Sequence, residues 1–118
     1  MSSVSFGREA EAAAAAFLAA QGMTILARNY AVRGAEIDVI AREGECIVFV
    51  EVKASASAET PHGAPRERVT PAKRRRICRA ALRYLQENGL GDAAVRFDVM
   101  EVTPEGIAHI KAAFDYTE

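Results

Sequence analysis

Two periodicities alternate along the chain, and the points where one gives way to the other divide it into elements. From Ser5 to Gln21 the apolar positions recur at helical spacing, with a stripe through Ala14, Phe17 and Leu18, Ser5 placed to cap the start and Gly22 just past the end. Met23 to Tyr30 reads as a strand closed by a turn at Arg33-Gly34. Two Val- and Ile-rich stretches with period two follow, Glu36 to Ala41 and Ile47 to Lys53, and the short polar Arg42-Glu43-Gly44-Glu45 between them predicts a hairpin. In the second stretch Val48, Val50 and Val52 point one way and Ile47, Phe49, Glu51 and Lys53 the other, the pattern of a strand buried on both faces. In the first, Glu36, Asp38 and Ile40 share a face opposite Ile37, Val39 and Ala41.

After Lys53 the periodicity stops. Ala54 to Pro65 is small, polar and broken by prolines, and the whole segment from Ala54 to Val69 is read as a mobile flap that leaves the strand beside its charged end. His62 within it reads as a solvated loop side chain. Thr70-Pro71 pairs a capping hydroxyl with proline at the first helical position, so a helix is predicted to Glu87, closed by Asn88-Gly89. Its core stripe is Ile77, Ala80, Ala81, Tyr84 and Leu85; Lys73 extends the stripe one turn back, and Arg75, Arg79 and Arg83 fall elsewhere. A fourth strand, Val95 to Val102, a turn at Pro104-Glu105-Gly106 and a short final strand, Ile107 to Lys111, complete the order, with Phe114 packing the tail. Asp98 is expected in a strand-edge ion pair with a neighbouring arginine. The fold class is α/β, a mixed sheet flanked by helices.

Composition narrows this picture. The 118 residues, half of them hydrophobic and 26% charged, suit one compact domain over 1–118. No apolar run is long enough to span a bilayer and the start lacks the layout of a secretory signal, so a cytoplasmic location without a membrane partner is the expectation. Cys46 and Cys78 lack zinc-site spacing and read as reduced, packed thiols. The net charge of −1 hides an asymmetry: eight basic residues and one acid lie between Arg66 and Arg83, against seven basic and fifteen acidic residues elsewhere.

The charges that do not fit a plain sheet carry the chemistry. A hairpin would lay Asp38 beside Glu51 and Lys53. Two carboxylates side by side repel unless something positive sits between them, and an oxygen-lined gap suits a hard cation such as Mg²⁺. A lysine two residues further along the same strand face can touch a phosphate or a water. Glu11, one turn ahead of Ala14, has two readings: an acid complementing the helix dipole, or one reaching toward the sheet. The cations crowding Lys73 to Arg76 also have two, a solvated face or contacts to an anionic backbone that offset their unfavourable place at a helix N-terminus.

Helix, three strands, helix, strand, with an acid on the second strand and Glu-x-Lys on the third, resembles the core of the PD-(D/E)XK nuclease superfamily. More closely, the chain resembles the YraN-like family of predicted endonucleases, themselves similar to archaeal Holliday junction resolvases. The resemblance rests on Gly7-Arg8-Glu9-Ala10-Glu11 with Phe17-Leu18, Ile25 to Tyr30, Gly34 to Ala41, Val48 to Lys53, Lys73 with Arg76, and Arg96-Phe97-Asp98-Val99. It implies a restriction-endonuclease-like core with an added short C-terminal strand, and hydrolysis of DNA, with branched or recombination intermediates as the substrate class. It implies Asp38 and Glu51 as ligands of Mg²⁺, or of Mn²⁺, which carboxylate sites also accept. The Val52 carbonyl would complete the shell, Lys53 would orient water or stabilise phosphate charge, and Glu11 would be an accessory acid. Lys73, Arg75, Arg76 and Arg79 would hold nucleic acid, and a homodimer would match a two-stranded substrate. Ala10 and Ala35 depart from the family's usual glycines. The competing readings are a nucleic-acid-binding adaptor that does not cut, and a protein-interaction domain in which Lys53 pairs with Asp38.

Overall fold

The computed structural model describes residues 3–55 and 69–117, with side chains described from Gly7 onward. The expected flap, with His62, Arg66 and Arg68, therefore lies outside the described residues save for its two ends. The elements are α1 (Ser3–Ala20), β1 (Thr24–Val32), β2 (Ala35–Glu43), β3 (Cys46–Ala54), α2 (Pro71–Glu87), β4 (Ala94–Thr103) and β5 (Gly106–Phe114). One sheet takes all five strands in sequence order; β3 and β4 pair in parallel and the other neighbours antiparallel. The parallel step is the one that needs a crossover, and α2 lies on it. No helix among the described residues is long and apolar enough to cross a membrane.

β3 is central because both its faces are apolar. Ile47 and Phe49 join the core beneath α2, while Val48 and Val50 join the core beneath α1 with Ala14, Leu18, Met23 and Met100. On the α2 side Phe97 stacks between Phe49 and Phe114, at 5.5 and 5.2 Å between ring centroids. Tyr84 meets Phe49 and Tyr30 edge-on, at 6.1 and 5.2 Å. Phe114 thus closes the tail against the core as its position in the sequence suggests. The β2–β3 hairpin turns on Gly44 and Glu45 alone, tighter than the four residues expected, and Gly44 has the positive φ of 60° that a primed two-residue turn favours. Thr70 caps α2, its hydroxyl accepting from the Lys73 N–H at 3.2 Å with Pro71 at the first turn, and Asn88 ends it.

Four expectations need correction. The helix α1 begins at Ser3, so Ser5 lies inside it rather than capping it. In β2, Ile37 does not share a face with Val39 and Ala41: it packs beneath α2 and they pack beneath α1. The alternation slips because Asn29, between the β1 residues that face Ile37 and Val39, takes a positive φ of 53° and shifts the phase of the ribbon. β5 runs to Phe114, three residues past the expected end, because a bulge opposite Asp98 absorbs the misfit: Ala112 takes φ 51° and Phe114 pairs with Phe97 beyond it.

The fourth concerns Asp98. It does pair with Arg96, at 2.8 and 2.9 Å, but it is fully buried, not at a strand edge. It accepts from the Ala112 N–H at 3.0 Å, which fixes the bulge, and contacts His109 Nε2 at 2.8 Å. Arg96 continues to Glu43 at 2.7 Å. Although burial pushes the Asp98 carboxyl up, the bonds from His109, Arg96 and Ala112 outweigh it and hold it below the usual carboxylate value.

Candidate functional site

The ladder between β2 and β3 pairs Glu43 with Cys46 and ends at Val39 with Val50. One step further Asp38 and Glu51 would be opposite, and there the backbone bonds give way to a side chain: the Val52 N–H donates to Asp38 Oδ2 at 2.7 Å. A strand residue turns its N–H and C=O to the same side, so the Val52 carbonyl faces the same gap. Strand pairing thus opens into a slot with a carboxylate in it.

From the α2 side the slot is met by Glu51, Lys53 and Lys73. Glu51 is 7% exposed; its carboxyl is hydrogen-bonded to that of Asp38 and pairs with Lys73 Nζ at 3.1 Å. Lys73, expected on the nucleic-acid face of α2, instead turns into the slot, as its place on the extended core stripe allows. From the α1 side come Glu11 and Glu36. Glu11, Glu36 and Asp38 each present an oxygen within 4.8 Å of the other two. Asn29 sits over this group, its amide donating to Glu11 at 2.7 Å and to Glu36 at 3.1 Å. The strained backbone of Asn29 and the phase slip of the ribbon are therefore located at the acid cluster.

Four carboxylates around one slot are more negative charge than two lysines and an amide balance. Burial, then the hydrogen bond and charge of Glu51, push the Asp38 carboxyl up to about 9, with Glu11 adding to the rise and the Val52 N–H opposing it. At neutral pH the Asp38 carboxyl therefore keeps its proton. Burial lowers the Lys53 ammonium pKa; the Glu51 charge opposes the shift and the adjacent Lys73 adds to it. Burial acts on Lys73 in the same direction, but the charge and hydrogen bond of Glu51 outweigh it and leave Lys73 raised.

This donor set fits a hard divalent cation. It offers carboxylate oxygens from two strands and a helix plus a backbone carbonyl, with no sulfur or imidazole among the groups described. A proton retained where a carboxylate would ordinarily have lost it is what a cation would displace. The structure brings together Asp38, Glu51 and the Val52 backbone, and Glu11 lies beside Asp38 from α1. Glu36 is a member of the cluster that the sequence does not single out. Its signal is its place two residues before Asp38 on one strand face, but an exposed strand acid reads the same when it is merely solvated.

A cleft of about 440 Å³ opens beside the slot, lined by Gly34, Ala35, Glu36, Asp38, Glu51, Lys73 and Arg76 among others. Ala35 fits this wall and Ala10 is buried; neither takes a positive φ, so both methyls are accommodated. Gly34 does have a constraint: at φ 81° a Cβ would stand 3.1 Å from an Arg79 guanidinium nitrogen. The other α2 cations divide. Arg74 is bound inward, to the Val69 carbonyl at 2.8 Å and over the Phe114 ring at 5.2 Å. Arg75, Arg76 and Arg79 are exposed on the outer face, Arg79 donating to the Arg33 carbonyl at 3.3 Å.

Residues 10–102 match the model of a family described as the uncharacterised protein family UPF0102. The chain is 52% identical over 102 residues to a UPF0102 protein of Desulforapulum autotrophicum, covering 86% of this chain and 83% of the relative. It is 44% identical to one from Anaeromyxobacter dehalogenans, covering 92% and 83% of the two chains, and 45% identical to one from Geotalea daltonii, covering 92% and 88%. With its matched segment running from α1 through β4, and so including every carboxylate of the slot, the chain belongs to the UPF0102 family, the YraN-like family its motifs resemble.

Proposed function

We propose that this chain is a nuclease that hydrolyses DNA phosphodiester bonds with the help of a divalent cation, Mg²⁺ or Mn²⁺. The observation that carries the reading is the slot itself, where Asp38 and Glu51 face each other at the end of a strand ladder with Glu11 and Glu36 beside them. Asp38, Glu51 and the Val52 carbonyl would hold the ion, with Glu11 and Glu36 beside them. When bound, such an ion supplies charge neutralisation and a lower pKa for an attacking water.

This chain's own residues do the rest. Lys53 and Lys73 oppose the charge that builds on the phosphate as its bond to the leaving oxygen breaks. Asn29 keeps Glu11 and Glu36 from swinging away. Arg76, on the rim of the cleft, meets the sugar-phosphate backbone as it enters, and Arg75 and Arg79 extend that contact along α2 with salt-sensitive affinity.

One observation favours a second reading, an adaptor of the same fold that binds nucleic acid without cutting: Lys73 already pairs with Glu51. Cleavage of duplex, branched and single-stranded DNA with Mg²⁺ and with Mn²⁺ separates the two. The nuclease reading expects metal-dependent cutting of at least one substrate, reduced roughly a hundredfold or more in Glu51→Ala. Equal cutting by Glu51→Ala, or binding to DNA with no cutting under either ion, contradicts it.

A further inference from the structure

The outer face of α2 carries a second concavity that the slot does not use. It measures about 550 Å³ and is lined by Ala72, Arg75, Arg76, Arg79, Leu82, Tyr116 and Thr117. Leu82 and Tyr116 are 42% and 49% exposed, two of the three large apolar side chains this open to solvent among the described residues. An aromatic ring and a leucine left open between arginines are unusual for a merely solvated basic face, where the apolar parts are ordinarily covered by the long basic stems.

Tyr116 is held in place. The Thr117 backbone N–H bonds to the sulfur of Cys78, which is fully buried in α2, and Phe114 is stacked in the core two residues earlier. The backbone on either side of Tyr116 is thus anchored beside the helix that carries the arginines. Among the described residues no ion pair joins Arg75 or Arg76 to a carboxylate; Asp115 lines the adjoining hollow, which shares Arg75, Tyr116 and Thr117 with the groove, so the three arginines of the groove outnumber the one acid beside it. Arg76 lines both the groove and the cleft at the acid slot, which makes the two neighbours along α2.

We propose that this groove grips an unpaired stretch of nucleic acid, with Tyr116 and Leu82 taking a base face and Arg75, Arg76 and Arg79 taking the phosphates, so that the substrate of the slot is DNA with a single-stranded segment beside its cut site. The groove's chemistry is that of a stacking platform within a positive channel: a ring accepts any base, guanidinium groups follow the backbone, and a paired base would have its face already covered. The substrate class rests on the nuclease reading; the groove's preference for unpaired strands does not.

The test is fluorescence anisotropy of the full chain with labelled oligothymidine and with a labelled duplex, in EDTA so that no cutting occurs. Tyr116→Ala is expected to weaken oligothymidine binding by about tenfold, the lower part of the range for loss of one stacked base, while duplex binding changes less than about twofold. Tyr116→Phe, which keeps the ring, is expected to bind as the wild type does, and its unchanged duplex binding guards against misfolding. Tyr116→Ala that leaves oligothymidine binding intact, or weakens both ligands equally, overturns the proposal. So does polyglutamate that competes as well as oligothymidine, since the groove would then be a general polyanion patch or a docking site for an acidic protein. Tyr116-dependent binding by a chain that cuts nothing supports the groove and counts only against the nuclease; cutting with no such dependence does the reverse.

Discussion

Asp98 and Asp38 flank the same strand and meet opposite fates. Asp98, on β4, lies beside Val50 in the parallel ladder; Asp38, on β2, stands one step beyond Val39, the antiparallel partner of Val50. Around Asp98, Arg96, His109 and a backbone N–H supply donors to both carboxylate oxygens, and the group stays ionised while fully buried. Around Asp38 the nearest charged groups include three more acids, and one backbone N–H cannot keep it ionised. Compensated charge serves the fold, here by pinning the bulge that lets β5 continue to Phe114. Charge that the chain leaves uncompensated is what the proposed cation site rests on.

The largest expected effect falls on the compensated centre. Asp98→Ala strands Arg96 in a partly buried site and frees the bulge, and should cost about 3–5 kcal/mol of stability in urea unfolding, the range for breaking a buried pair from one side. A loss under about 1 kcal/mol would mean that the network around Asp98 is not structural in this sense.

At the uncompensated centre the sign should reverse. Asp38→Asn keeps an oxygen for the Val52 N–H and folds without having to take up a proton, so the metal-free variant is expected to melt on the order of 5 °C above the wild type at neutral pH. The pH dependence follows from the same shift. Because the folded state holds the Asp38 proton up to about 9 while the unfolded chain releases it in the ordinary carboxylate range, folding binds a proton across that window. Its contribution is fully present at acid pH and is lost as pH rises toward 9, so wild-type stability should fall over that interval and Asp38→Asn should flatten the slope. Equal slopes in scans of the two proteins would refute the raised Asp38 pKa.

A smaller effect is expected at Asn29. Asn29→Gly relieves the positive φ but deletes the amide that ties Glu11 to Glu36, so stability should change little while Mn²⁺ affinity drops about tenfold, as for other groups that orient ligands. Unchanged affinity, read by calorimetry, would assign Asn29 to the turn of the ribbon alone.

Much of this was legible in the residues. The two apolar faces of β3, the Thr70-Pro71 start of α2, its core stripe and the convergence of Asp38 with Glu51 all follow from local periodicity, which a buried central strand and an amphipathic helix express directly. What escaped depends on contacts between distant segments. The phase slip in β2 lies opposite Asn29, whose left-handed conformation accompanies amide bonds to Glu11 on a distant helix and to Glu36. Lys73 lies on the core stripe, yet its reading as a phosphate contact comes from its cationic neighbours; only the position of Glu51 turns it inward. Arg96 and Asp98 lie two apart on one strand face, which suggests their pair, but His109, which helps to bury it, comes from β5. Exposed acids such as Glu36 carry no mark in the sequence until a helix is laid across them.

The most direct measurement is calorimetric titration of the full-length chain with Mn²⁺ at neutral pH in two buffers of different ionisation enthalpy. A slot in which Asp38 keeps its proton at neutral pH must release it to the ion, so the expected result is saturable binding with about one proton expelled per ion, lost in Asp38→Asn. Heat that is absent, or that neither depends on the buffer nor changes in Asp38→Asn, would contradict a cation site at the end of the β2–β3 ladder.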